Sequence, residues 1–132
     1  MRMDDKMAEV IEELKYTENH EWIKVDAEEI TYGISDYAQE EMGDIVYVEL
    51  PMENDDVKKG DVIGVVESVK TVSDLFAPIS GTITAINEEL EASPELINED
   101  PFGEGWIAKI QIEDNDELND LLSSEEYKKD LD

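Results

Sequence analysis

The chain has 132 residues, with 10 Lys and Arg against 37 Asp and Glu, and a formal charge of −27; such a surface repels phosphate backbones and anionic membranes, so neither nucleic acid nor a membrane is an expected partner. It has no cysteine and one histidine, which excludes disulfides and thiolate metal sites and leaves its own side chains little redox or nucleophilic chemistry. Hydrophobic residues make up 40%, enough for one ordered domain with a core, and no apolar run reaches the length of a membrane span.

Residues 1–14 read as an N-terminal extension in which MAEVIEEL suggests a short helix. The segment is acidic and lacks an apolar signal core, so a cytoplasmic location is expected. The main domain is expected over 15–132. HEWIKV (His20 to Val25) and EEITYGI (Glu28 to Ile34) read as strands with a turn at Asp26–Ala27, since Ile30, Tyr32 and Ile34 alternate as on a half-buried sheet. Ser35–Asp36 has the chemistry of a helix N-cap, YAQEEM is a short helix, and Gly43 stops it.

IVYVEL (Ile45 to Leu50) is the next strand, and ENDDVKKGD (Glu53 to Asp61) reads as a polar loop whose Lys58 and Lys59 are solvated. Two apolar runs follow, VIGVV (Val62 to Val66) and LFAPISGTITAI (Leu75 to Ile86), the second broken by Pro78 and Gly81. Asn87 to Asn98 reads as a loop with helical turns, DPFGEGW as a Gly-rich turn with close backbone approach at Gly103 and Gly105, and WIAKIQI as a last strand. DELNDLL and EEYKKDL supply C-terminal helices over about 116–131, the second with a Ser123/Glu126 capping box. Many short strands separated by turns argue a mainly β sandwich or barrel with peripheral helices.

Lys70 stands between the two apolar runs, in ESVKTVSDLFAPISG. The turn SVKT has no Gly, Asn or Asp, so turn chemistry alone does not mark a tight hairpin. On periodicity alone, Lys70 is as well explained by solvation of a strand as by a handle for outside chemistry. The wider text is more specific. GDIVYVELP, VKKGDVIGVVESVKTVSDLFAPISGTI and ELINEDPFGEGW, with KYTENHEW and GISDYAQ upstream, closely resemble the H-protein family of the glycine cleavage system, in order from about Lys15 to Tyr127.

That resemblance implies a carrier, not an enzyme, with no catalytic residue and no metal of its own. It implies a flattened barrel-sandwich hybrid of two small sheets, with the lysine on an exposed hairpin and short helices at the edges. Lys70 matches the lysine that receives lipoate in amide linkage from a lipoylating enzyme. The arm would collect an aminomethyl group from the glycine-decarboxylating P-protein, deliver it to the T-protein aminomethyltransferase, and be reoxidised by the L-protein dihydrolipoyl dehydrogenase. Glu21 and Asp74 match positions at a cleft sheltering the loaded arm. Glu67 and Ser68 flank the lysine and suit recognition by the lipoylating enzyme. The family often has His where this chain has Tyr37, so only a hydroxyl is on offer there. His20 has no Ser, Cys or metal-type partner in sequence, and packing or hydrogen bonding near the cleft suits it better than catalysis. Trp22, Phe102 and Trp106 read as core or cleft wall.

Other swinging-arm domains fit less well. Biotin carriers typically have Met on both sides of the lysine, and oxoacid dehydrogenase lipoyl domains Asp-Lys-Ala, whereas Val69 and Thr71 flank Lys70. A role as lipoyl donor to other lipoate-dependent complexes stays open, and a free-standing hydrolase or redox enzyme has no motif here.

Acidic residues fall 14, 8 and 15 in successive thirds of the chain. There is no acidic tail, which suits a surface solvated in a salty, halophilic cytoplasm more than a patch for one basic partner. Repulsion among these charges is screened over about 10 Å at 0.1 M salt. The Tm is therefore expected to rise steadily as NaCl is raised; a scan series in which Tm stays flat contradicts this account of the charge.

Overall fold

A computed structural model describes residues 8–131. Its strands are β1 (Lys15–Tyr16), β2 (Glu21–Asp26), β3 (Glu29–Ile34), β4 (Ile45–Glu49), β5 (Asp56–Val57), β6 (Val62–Ser68), β7 (Val72–Phe76), β8 (Gly81–Ile86) and β9 (Ala108–Ile112). They form two antiparallel sheets: a six-stranded one in the order β1-β2-β3-β9-β8-β5, and a three-stranded one in the order β4-β6-β7. Neither closes into a barrel, and the expected mainly β sandwich of two small sheets is what the chain forms.

The period-two patterning explains the shared core. Ile30, Ile110 and Ile83 are cross-strand partners in one row of the large sheet and are fully buried. The small sheet sends Val48, Val66 and Leu75 into the same cluster. Burying a side chain of this size contributes about 1.5–3 kcal/mol. At Gly81 a β-carbon would collide with the Gln111 carbonyl, so the bend between β7 and β8 demands glycine.

Short helices close the edges. Helix α1 (Asp36–Met42) is capped by Ser35, whose hydroxyl accepts from the Ala38 N–H, and ends at Gly43 with φ 81°. Helices α2 (Glu89–Ala92) and α3 (Leu96–Glu99) lie in the expected loop with helical turns. The DELNDLL segment forms a 3₁₀ turn over Asn115–Asp120, which stops short of Leu121 and Leu122. Helix α4 (Ser124–Leu131) starts with the expected reciprocal box: the Glu126 N–H donates to Ser123 Oγ (3.2 Å), and the Ser123 N–H donates to the Glu126 carboxylate (2.9 Å).

Three local expectations need correcting. Met7 of the expected MAEVIEEL helix lies outside the described residues, and from Ala8 to Leu14 the chain makes a turn and no helix. Eight residues are too few to hold a helix unaided; here Val10 and Leu14 are drawn onto an aromatic cluster, and the Ile11 N–H donates to Tyr16 Oη at 2.8 Å. The β2–β3 turn falls one residue later than expected, since Asp26 pairs with Glu29 and Ala27 takes φ 60°. The polar loop at 53–61 contains β5, whose buried Val57 pairs with Gly81.

The aromatic cluster fastens α4 to the sheet. Tyr16 and Tyr127 stack with centroids 4.3 Å apart and planes 2° from parallel. Tyr127 Oη meets Ser35 Oγ at 2.7 Å and His20 Nδ1 at 2.8 Å. Tyr127→Phe keeps the stack and removes both hydrogen bonds. It is expected to lower stability by about 1–3 kcal/mol in equilibrium urea unfolding; an unchanged midpoint contradicts this role for the hydroxyl.

Candidate functional site

The β6–β7 hairpin presents Lys70. The Ser68 N–H donates to the Thr71 carbonyl at 2.8 Å. Ser68 Oγ in turn accepts from the Lys70 and Thr71 N–H groups, each at 3.1 Å. The Val69 N–H donates to the Asp44 carbonyl at 3.0 Å, tying the turn to the start of β4. Val69, Lys70 and Thr71 are not among the residues with positive φ. The turn therefore needs no glycine: a serine hydroxyl gathers the N–H groups instead. Ser68 is buried, and its hydroxyl is engaged within the turn, so it acts on the shape of the hairpin.

Lys70 is exposed. Its stem crosses Gly43, where a β-carbon would lie 3.3 Å from Lys70 Cε. Beside the hairpin, α1, the start of β2 and β7 enclose a cavity of about 330 Å³. Ile34, Met42, Val66 and Leu75 give it apolar walls; His20, Glu21, Tyr37 and Asp74 give it polar ones. The structure thus gathers Glu21 and Asp74 in one cavity with His20 and Tyr37, while Glu67 and Ser68 stay at the turn. Asp74 pairs with Val65 on edge strand β7 and is exposed, so it belongs to the rim. A wider hollow of about 550 Å³, bordered by Asp55, Asp56 and Asp61, lies at the opposite end of β6.

Glu21 is the unusual group. Only 4% of it is exposed. Burial pushes its carboxyl up to about 7, against the lowering effect of hydrogen bonds from the Thr17 hydroxyl and the Phe76 backbone. Thr17 Oγ1 donates to it at 2.9 Å. Tyr32, diagonal to Glu21 across β2 and β3, buries a hydroxyl with no hydrogen-bond partner. Burial raises the Tyr32 hydroxyl well above its usual range, and the Glu21 charge adds to this.

His20 sits in a left-handed backbone conformation with φ 66°. Its ring lies 5.0 Å from that of Tyr37 and bonds Tyr127, so it joins the cavity wall to α4. Burial pushes the imidazole down, with Asp130 and Glu41 pulling it the other way. This is the hydrogen-bonding place expected for it. Trp22 is buried, donates to the Pro101 carbonyl at 2.8 Å, and packs with Phe102 and Trp106 away from the cavity. Among the described residues, no group of three or more His, Asp or Glu is placed to hold a metal ion. Sequence reasoning missed Thr17 and Tyr127. Thr17 lies within KYTENHEW, but only the fold brings Tyr127 to His20.

The sign of the Glu21 effect is testable. A carboxyl raised in the folded state binds its proton more tightly there than in the unfolded chain. Its stabilising contribution is complete below about pH 4.5 and is lost as pH rises through about 7. Glu21→Gln removes this loss. The variant's stability advantage over the parent is expected to grow between those two pH values, towards about 3 kcal/mol; a difference that does not vary with pH contradicts a buried, protonated Glu21.

Comparison with known proteins places this architecture. The family model described as "Glycine cleavage H-protein" matches residues 14–132. The glycine cleavage system H protein of Staphylococcus carnosus (strain TM300) is 54% identical over 119 residues, covering 90% of this chain and 94% of that protein. Its counterpart in Carboxydothermus hydrogenoformans is 52% identical over 123 residues, covering 93% and 95%. The crystal structure of a glycine cleavage system H protein from Mycobacterium marinum superposes with a TM-score of 0.82 at 36% identity, covering 92% of this chain and 98% of that one. The tied lysine hairpin, the cavity beside it and these matches along nearly the whole chain lead to one conclusion: the chain belongs to the glycine cleavage H-protein family.

Proposed function

We propose that this chain carries lipoate in amide linkage on Lys70 and shuttles between the P-, T- and L-proteins of glycine cleavage, itself a carrier and not an enzyme. The observation that carries the reading is an exposed lysine on a hydrogen-bonded turn, beside a cavity that holds a buried carboxyl. The charge supports a salty cytoplasm as its setting.

The residues present fit the group. Lys70 is exposed and, among the described residues, forms no ion pair. The neighbouring cavity combines apolar walls with carboxylates, as an apolar arm with a cationic end requires. When bound, lipoate supplies a disulfide that can be opened to carry a one-carbon amine and then re-formed. The chain contributes the rest. Ser68 and the Asp44 carbonyl fix the root of the arm. Fixing the root makes transfer between sites a local encounter. Ile34, Met42, Val66 and Leu75 exclude water. A cationic guest draws the Glu21 carboxyl towards its ionised form, and Asp74 adds a second carboxylate at the rim. Tyr37 offers a hydroxyl, and His20 holds the wall against α4 through Tyr127.

Lys70→Arg keeps the charge and the turn but offers no amine for acylation. In a reconstituted glycine decarboxylation assay it is expected to abolish carrier activity and leave Tm unchanged. Decarboxylation at the parent rate contradicts the assignment.

A further inference from the structure

Tyr32 is a buried titratable group that the carrier reading leaves without a task. It is fully buried, and among the described residues its hydroxyl has no hydrogen-bond partner. A buried hydroxyl without a partner costs free energy, and a phenylalanine would fill the same space without that cost. Such a hydroxyl points to a second state of the site in which it is satisfied.

The strand register locates that state. Glu21 pairs with Ile34 and Ile23 with Tyr32, so Glu21 and Tyr32 share the inner face of the large sheet, on a diagonal of β2 and β3. Trp22 marks the other face, its indole lying over Gly33. Diagonal neighbours stand about 7–8 Å apart, within reach of aromatic and long side chains. The Glu21 charge is felt at the Tyr32 hydroxyl, where it joins burial in holding the proton on the phenol. Tyr32 therefore meets a carboxylate only as a donor.

Glu21 has room for a further donor. Its carboxyl takes hydrogen bonds from Thr17 Oγ1 and the Phe76 backbone, whereas an ionised carboxylate offers about four acceptor sites. It is also the shared wall of two hollows: the cavity beside Lys70, and one of about 480 Å³ lined by Thr17, Asn19, Lys59 and Asp120. The other titratable groups bordering these hollows are placed differently. Glu18, Glu41 and Asp74 are exposed, and Lys59 pairs with Asp120 at 3.4 Å. His20 bonds Tyr127, and Tyr37 lies against the His20 ring.

We propose that Tyr32 is a positioning residue for Glu21: when Glu21 gives its proton to solvent, its carboxylate turns to accept the Tyr32 hydroxyl, and the pair holds the anion that meets a cationic guest. That guest is the loaded arm, so the proposal rests on the carrier reading above. The protonated carboxyl leaves the Tyr32 hydroxyl unpaired, and the ionised one satisfies it. A neutral donor eases ionisation of the buried acid without placing in the cavity a fixed cation, which would repel the guest.

The test uses the full apo chain with isotope-labelled glutamate, and follows the Glu21 carboxyl by carbon NMR from acid to alkaline pH. Glu21→Gln assigns its resonance. Urea midpoints are measured over the same range for the parent, Tyr32→Phe, Glu21→Gln and the double variant. Tyr32→Leu is carried alongside as a second replacement that lacks the hydroxyl, and circular dichroism checks each fold. Tyr32→Phe is expected to raise the Glu21 titration midpoint by about one pH unit, a tenfold tighter hold on the proton. It is also expected to raise the urea midpoint at about pH 5, where the hydroxyl is unpaired, and to lose that gain as pH rises through 7. The sign follows from the parent's carboxyl finishing its ionisation first, while the variant's goes on losing stability. In the Glu21→Gln background the gain is expected to be independent of pH. A Glu21 titration unmoved by Tyr32→Phe, with the same stability change at every pH, assigns the hydroxyl to packing alone; it overturns the pairing and leaves the carrier reading standing. For the guest, the lipoylated chain is loaded from glycine by a bacterial P-protein. Tyr32→Phe is expected to release the aminomethyl group up to about tenfold faster, and equal release rates overturn the role towards the guest. A lipoylated parent that takes up no aminomethyl group overturns the carrier reading and the guest with it.

Discussion

The hydroxyl of Ser68 is the constraint on which the site depends. It accepts the N–H groups of Lys70 and Thr71 inside the β6–β7 turn. With the Val69 N–H held by the Asp44 carbonyl, the lysine has a fixed root and a free stem. Each such bond contributes about 1 kcal/mol, which is enough to prefer one turn geometry in a hairpin whose strands are already paired through β4 and β7. A glycine-based turn would have left the backbone under Lys70 looser. Gly43 instead lies where the lysine stem needs clearance.

Charge and burial act together around that root. The chain keeps its core dry with apolar rows from both sheets and sets acidic groups over its outside. Glu21 breaks the rule, since it is a carboxyl held among apolar walls and therefore ready to respond to a cation. The outer face near Lys70 breaks it the other way, since it leaves Val46, Tyr47, Val69 and Val72 in water. Both departures border the small sheet: the cavity holding Glu21 is walled by Val66, Ser73 and Leu75 on one side, and the exposed valines and Tyr47 lie on the other. Function accounts for them more readily than stability does.

The strands were legible because their apolar residues alternate; β3 shows this with Ile30, Tyr32 and Ile34 facing the core. Local helix signals were legible where caps are chemical, as at Ser35 and at Ser123 with Glu126. The hairpin was not, because Ser68 does the work that Gly or Asn would have announced. The short β5 was hidden in a polar run because only Val57 needs burial. At residues 8–14 the helical pattern gave way to packing against Tyr16, Trp22 and Tyr127, which are far apart in sequence. For the site, family motifs pointed to Lys70, Glu21 and Asp74; the Ser68 hydroxyl acts locally, on N–H groups two and three residues on, but turn composition does not announce it, and the Tyr127 bridge between His20 and Ser35 depends on tertiary contacts.

The central claim is that Lys70 bears the arm. Intact mass followed by peptide mapping of the protein purified from its native host tests it most directly. The account predicts a lipoyl increment confined to the peptide containing Lys70. A chain that stays unmodified in a host that lipoylates its other proteins, or one that carries a biotin increment instead, contradicts it.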